Sequence, residues 1–167
     1  MEYLYAPWRS EYITESEKVE GCVFCNISEN PQKDEEFQVL YRDDLCFIVM
    51  NRYPYTPGHF MIIPHNHTDS LESLPSKTWL RMTLLAQKGV DMLKNGFGAE
   101  GVNIGMNLGA AAGAGIAEHI HLHLVPRFSR DTNFITTVGN TRVYSVDFVQ
   151  IYKKLKSMSE NYFKDIE

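Results

Sequence analysis

The chain has 167 residues, 44% hydrophobic and 22% charged, with a net charge of −5, ordinary values for a soluble globular protein of one domain with room for a real core. The acidic balance and the lack of a basic stripe argue against a surface that coats nucleic acid. No apolar run approaches the length needed to span a bilayer, so neither nucleic acid nor a membrane is expected as a partner.

Residues 1 to 20 are polar and aromatic without a clear period and read as an N-terminal extension. Met1 to Arg9 lacks the basic stretch and apolar run of a signal peptide. Three cysteines, Cys22, Cys25 and Cys46, are an odd number, which fits a reducing compartment and a metal site better than a disulfide framework. The expected location is therefore cytoplasmic. Cys22-Val23-Phe24-Cys25 supplies two zinc ligands, although a redox pair or two free thiols have the same spacing. Glu29 to Glu36 is acidic and reads as a solvated loop.

Val39 to Tyr41 and Cys46 to Met50 read as two strands joined by a turn at Asp43-Asp44, with Cys46 a buried thiol. Phe60 to Ile63 reads as a third strand. From about Ser76 to Asn95 the pattern turns helical: Trp79, Met82, Leu85, Ala86, Val90 and Leu93 recur at spacings of three and four, and Gly96 and Gly98 close the helix. Val102 to Met106 supplies a fourth strand. Asn107 to Ala117 is rich in small residues, including Gly113 and Gly115, whose backbone N–H groups can approach a polyphosphate closely. On composition alone a merely flexible loop is an equal reading. Ile120 to Val125 is the last strand, and Phe148, Ile151, Tyr152, Leu155 and Tyr162 predict an amphipathic C-terminal helix over about 146–163. The sum is an α+β domain, a mostly antiparallel sheet of about five strands with two main helices.

His119-Ile120-His121-Leu122-His123-Leu124-Val125 carries the chemistry. On a strand, alternate side chains face opposite sides, so Ile120, Leu122 and Leu124 enter a core while three imidazoles share the other face. Clustered titratable groups repel when charged and are costly to bury, which disfavours a purely structural role. The spacing suits phosphoryl chemistry or a metal. A neutral imidazole can attack phosphorus at pH 7 if its other ring nitrogen is held as a donor.

The run from His119 to Val125 resembles the signature of the histidine-triad (HIT) family. Asn51-Arg52-Tyr53-Pro54-Tyr55-Thr56-Pro57-Gly58-His59 is similar to that family's N-x-x-P-x-x-P-G-H segment, and Ile62 to His67 to its strand followed by Pro-x-x-His. The resemblance covers roughly residues 20 to 135 of a single domain spanning 1–167. It implies the HIT fold, with two protomers pairing into one continuous sheet, and hence a homodimer or a pair of dimers. It implies His121 as nucleophile, His123 as donor at the phosphate oxygens, and His59 orienting the triad. The same resemblance assigns Asn51 to the nucleoside, and Asn107, Gly113, Gly115 and His123 to the phosphate chain. It implies a structural zinc held by Cys22, Cys25, His67 and His119, with His65 a competitor for the third position.

The loop departs from the Gly-Gln-Ser/Thr-Val of many HIT hydrolases, having Gly115-Ile116-Ala117. With Pro7-Trp8-Arg9, Val125-Pro126-Arg127 and Asp131-x-Asn133-Phe134, it is closer to the bacterial diadenosine tetraphosphate phosphorylase-like branch. The expected activity is nucleotidyl transfer on dinucleoside polyphosphates through a nucleotidyl-histidine. Phosphorolysis to ADP and ATP with inorganic phosphate is the leading reading, and hydrolysis of dinucleotides or nucleoside phosphoramidates the alternative. Arg127 and Arg130 are candidates for the acceptor's anion site. A non-catalytic nucleotide-binding module and a metal store are weaker readings, since the triad is whole and a store leaves Asn51 and the Gly-rich loop unexplained.

Overall fold

The computed structural model describes residues 21–129, 131–132, 134–141 and 147–164. The N-terminal extension with Pro7-Trp8-Arg9, and the residues Arg130 and Asn133, lie outside them. Helix α1 (Val23–Glu29) leads through a 3₁₀ turn at Pro31–Lys33 into the short α2 (Asp34–Phe37). Strands β1 (Val39–Arg42), β2 (Cys46–Met50) and β3 (Phe60–Pro64) precede α3 (Ser76–Asp91), which runs on as a π-helical turn, Met92–Phe97. Then come β4 (Gly101–Gly105), β5 (Leu122–Arg127), the short α4 (Phe134–Gly139) and α5 (Phe148–Phe163).

The strands form one sheet in the order β1-β2-β3-β5-β4, every neighbour antiparallel. Together with the helices this is the α+β fold expected. Each face of the sheet has its own apolar layer. On one side Leu40, Cys46, Ile48, Met50, Phe60, Ile62, Leu122 and Leu124 pack against α3 and α5 through Met82, Leu85, Ile151 and Leu155. On the other, Val39, Phe47, Val49, Met61 and Ile63 pack against Phe24 and Ile27 of α1. Burial of each large side chain here is worth about 1.5–3 kcal/mol, which is why β2 and β3, covered on both faces, read as continuous apolar runs. Burial pushes the Cys46 thiol up to about 12.

Several boundaries differ from expectation for local reasons. The Asp43 turn forms as expected, its carboxylate accepting from Leu45 N and Cys46 N at 2.8 and 2.9 Å. The acidic segment 29–36 is not plain loop: it contains the Pro31 turn and the start of α2. Gly96 lies inside the π-turn, and Gly98, at φ +89°, ends it. α5 begins one residue after Asp147, whose carboxylate accepts from Val149 N and Gln150 N.

The last strand starts at Leu122 rather than Ile120. Ile62 pairs with Leu122, so the antiparallel register would set Ile120 opposite Pro64, which has no N–H to donate. Ile120 N instead donates to Thr68 O at 2.8 Å. His119 therefore sits in a bend ahead of β5, His121 immediately precedes the strand, and His123 lies within it. No helix among the described residues is long and apolar enough to cross a membrane.

Candidate active site

Two groups of side chains meet on the sheet face that α1 partly covers. The first is the sequence-predicted set Cys22, Cys25, His67 and His119, whose ligand atoms all lie within 4.8 Å of one another. Cys25 Sγ is 3.2 Å from His67 Nδ1, and Cys22 Sγ is 3.4 Å from His119 Nδ1. A tetrahedral zinc with sulfur and nitrogen ligands sets its donors about 3.3–3.8 Å apart, so the set fits that ion. His119 Nε2–H donates to Pro64 O at 3.0 Å, which leaves Nδ1, the atom nearest the sulfurs, with its lone pair. Burial, the neighbouring Cys22 and nearby carboxylates push the Cys25 thiol up to about 11. His65 is committed elsewhere: Nε2–H donates to Asp43 O at 2.9 Å, and Nδ1 accepts from the Ser28 hydroxyl at 2.6 Å.

The second group is His59, His121 and His123. Their protons can be assigned from partners with one possible role. His121 Nδ1 lies 2.8 Å from His119 O, a pure acceptor, so it carries the proton and Nε2 carries the lone pair. Tyr55 N, a pure donor, lies 3.2 Å from His59 Nδ1, so the proton of neutral His59 is on Nε2. That Nε2–H donates to His123 Nδ1 at 2.9 Å. His123 in turn keeps its proton on Nε2. The site thus holds one nitrogen ready to attack and one ready to donate.

Electrostatics keep the rings neutral at pH 7. Burial, then the neighbouring His123 and His121, push His59 down to about 3. Burial, then His121, push His123 down to about 4. Burial also lowers His121, although the bond to His119 O opposes it.

Asn51 borders the same face: its Oδ1 accepts from Tyr53 N at 2.9 Å, and its Nδ2 lies 3.4 Å from His59 Nε2. Asn107 donates to Gly113 O at 3.4 Å across the small-residue loop. Gly113 has φ +89°, a conformation that favours glycine, and Gly115 has open space where a Cβ would stand. Arg127 is engaged by Asp131 at 2.8 Å and Asn103 at 2.8 Å.

Sequence reasoning missed three residues. Tyr55 is 56% exposed and lays its ring over the pair, centroids 4.8 Å from His59 and 6.1 Å from His123. Thr56, fully enclosed, donates to Pro126 O at 2.8 Å and ties the Pro-Gly-His loop to β5. Phe24 packs on both His119 and His121. The signal for the first two was their place just before Pro57-Gly58-His59; Phe24 was hidden because its motif draws attention to the flanking cysteines.

Residues 32–130 match the family described as HIT domain. The chain is 36% identical over 149 residues to an AP-4-A phosphorylase of Mycobacterium tuberculosis, covering 86% of this chain and 76% of that one. It is 34% identical over 110 residues to the adenylylsulfatase HINT3 of Arabidopsis thaliana, covering 66% of this chain and 54% of the relative. Among solved structures it resembles a Zn-bound histidine triad family protein from Mycobacterium smegmatis. The TM-score is 0.69 at 30% identity, over 84% of this chain and 94% of the other.

Proposed function

The chain belongs to the HIT family, and from that premise we propose that it is a nucleotidyl-transfer enzyme acting on dinucleoside polyphosphates, with phosphorolysis of diadenosine tetraphosphate as the leading reaction. The observation that carries this is the His121 ring, neutral and oriented, with Nδ1–H bound to His119 O. The likeness to the mycobacterial AP-4-A phosphorylase supports the substrate class.

In the proposed first step His121 Nε2 attacks the phosphorus beside adenosine. The N–P bond forms as the P–O bond to the rest of the polyphosphate breaks, releasing ATP and leaving adenylyl-His121. His123 Nε2–H donates to the developing charge on the phosphate oxygens, and His59 holds His123 in the donating tautomer. Inorganic phosphate then attacks the adenylyl phosphorus, the N–P bond breaks, and ADP leaves with the His121 lone pair restored. The backbone of the Asn107–Ala117 loop, with Gly113 and Gly115, and the amide of Asn107 are assigned to the phosphate chain, and Asn51 to the nucleoside. A zinc ion on Cys22, Cys25, His67 and His119 would close a four-ligand structural site that ties the N-terminal segment to the triad.

A second reading takes water as acceptor and AMP as product. It draws on the likeness to an adenylylsulfatase and on Arg127, which Asp131 and Asn103 engage. Both readings assign the protein to the cytoplasm, with nucleotide as partner and nucleic acid excluded. Both also take the assembly as a homodimer or a pair of dimers. Among the described residues no strand pairs with the outer edge of β4, which carries exposed Ile104, and this is the edge along which two sheets would join.

The test is incubation with diadenosine tetraphosphate, with and without inorganic phosphate. ADP and ATP appearing with phosphate alone support the phosphorylase; AMP and ATP without it favour the hydrolase. No product, or full turnover by His121→Asn, refutes the proposal.

A further inference from the structure

Phe24 lies in the chain between the two cysteines, yet its ring belongs to the histidine face. It is 3% exposed. Its ring meets that of His119 edge-on, centroids 5.5 Å apart, and that of His121 at 5.2 Å with a 53° tilt. One aromatic ring is therefore shared by a member of the cysteine–histidine cluster and by the imidazole whose Nε2 carries the lone pair.

What places that ring is α1. The helix has seven residues, and among the described residues no side chain caps its N-terminus. A helix of this length does not hold itself in water, so its position follows from the burial of Phe24 and Ile27 in the apolar layer and from what ties down its two ends. Arg42 holds the C-terminal end through Ile27 O and Ser28 O. The N-terminal end carries Cys22 and Cys25, the two sulfurs of the cluster. The ring of His121 is bounded by His119 O at 2.8 Å, by the His123 ring at 4.9 Å, and by Phe24. Cys22 and Ile116 both pack against the same apolar layer, so the small-residue loop rests on the layer that holds Phe24.

We infer that Phe24 is a positioning residue that couples cation binding at Cys22, Cys25, His67 and His119 to the orientation of the His121 imidazole. With the four ligands drawn onto one ion, α1 is fixed and the Phe24 ring confines His121 to the rotamer in which Nδ1–H meets His119 O. Without the ion the N-terminal end of α1 is released, and His121 gains freedom. The consequence for catalysis rests on His121 being the nucleophile, where a misplacement of about 1 Å can cost on the order of a hundredfold in rate. The effect on the ring itself does not depend on that assignment.

The experiment compares zinc-loaded wild type, chelator-stripped wild type and zinc-loaded Phe24→Leu. Leucine keeps the site apolar and removes the flat ring. Long-range 1H–15N spectra of histidine-labelled protein report the His121 tautomer, metal analysis reports zinc per chain, and kinetics report kcat and KM. We expect a sharp Nδ1–H tautomer for His121 in zinc-loaded wild type, and a broadened or averaged signal in both other samples. Phe24→Leu should keep its zinc and lose about tenfold in kcat, with KM within about twofold. Because His119 could transmit metal loss through its own carbonyl, Phe24→Leu is the deciding sample. A wild-type His121 signal in zinc-loaded Phe24→Leu overturns the inference, as does an unchanged signal in stripped wild type. Phe24→Met serves where Phe24→Leu misfolds, and must show the same broadening. If zinc-loaded wild type turns over no dinucleotide, the proposed activity fails while the His121 spectra still decide the coupling.

Discussion

His59 Nε2 and His123 Nδ1 lie 2.9 Å apart, though 64 residues separate them, and the proton between them belongs to His59. The backbone N–H of Tyr55 dictates this, because it can only donate and it points at His59 Nδ1. His59→Asn removes the fixed donor. His123 should then show a mixture of tautomers in 15N spectra, and kcat should fall by about 10–100-fold, less than in His121→Asn. A pure His123 tautomer in that variant would show that the chain from Tyr55 to His123 has no hold on the donor.

Acid should destabilise the protein well above the carboxylate range. His59 and His123 are held down to about 3 and about 4 in the folded state, while in the unfolded chain each takes a proton near its ordinary value of about 6.5. Below that value the unfolded state binds more protons, so stability is full above about pH 6.5 and is lost as pH falls towards the folded values. The melting temperature should drop by up to about 5 °C per pH unit between pH 6.5 and 5. His59→Gln/His123→Gln should show a flatter profile than wild type under identical metal loading; parallel profiles would mean that other groups govern the slope.

Arg42 clamps the C-terminal end of α1. Its guanidinium donates to Ser28 O at 3.0 Å, to Ile27 O at 2.9 Å and to the Asp34 carboxylate, and stacks over Phe47 at 5.4 Å. Lysine cannot reproduce this fork. Arg42→Lys should cost about 1–3 kcal/mol in urea unfolding and weaken zinc retention against a competing chelator. Unchanged zinc retention would separate the helix clamp from the metal site.

Gly58 sets the turn that presents His59. It has φ +89°, and a Cβ there would stand 2.7 Å from Phe97 Cε1. Gly58→Ala should cost about 1–3 kcal/mol and lower kcat by displacing His59. Gly115→Ala, where a Cβ meets open space away from the β4 edge, should stay within about 0.5 kcal/mol of wild type in unfolding free energy. Equal effects from the two changes would refute the strain argument.

Much of this protein was legible in its residues. The period-two alternation of His119 to Val125 put three imidazoles on one side, and continuous apolar runs marked β2 and β3 as covered on both faces. The resemblance to the HIT family named Cys22, Cys25, His67 and His119, which the fold gathers within 4.8 Å, although the residues alone left His65 as a competitor for the third position. What periodicity cannot encode is which distant neighbour a face meets, because that depends on strand register and loop paths. Only the tertiary structure decided that β5 begins after His121, since Pro64 across the register has no N–H to offer. It alone turned His65 towards Ser28 and Asp43 and away from the cysteines. It alone laid Phe24 on His121, because α1 folds back over the sheet to bury its apolar side, and no local pattern records where a seven-residue helix comes to rest.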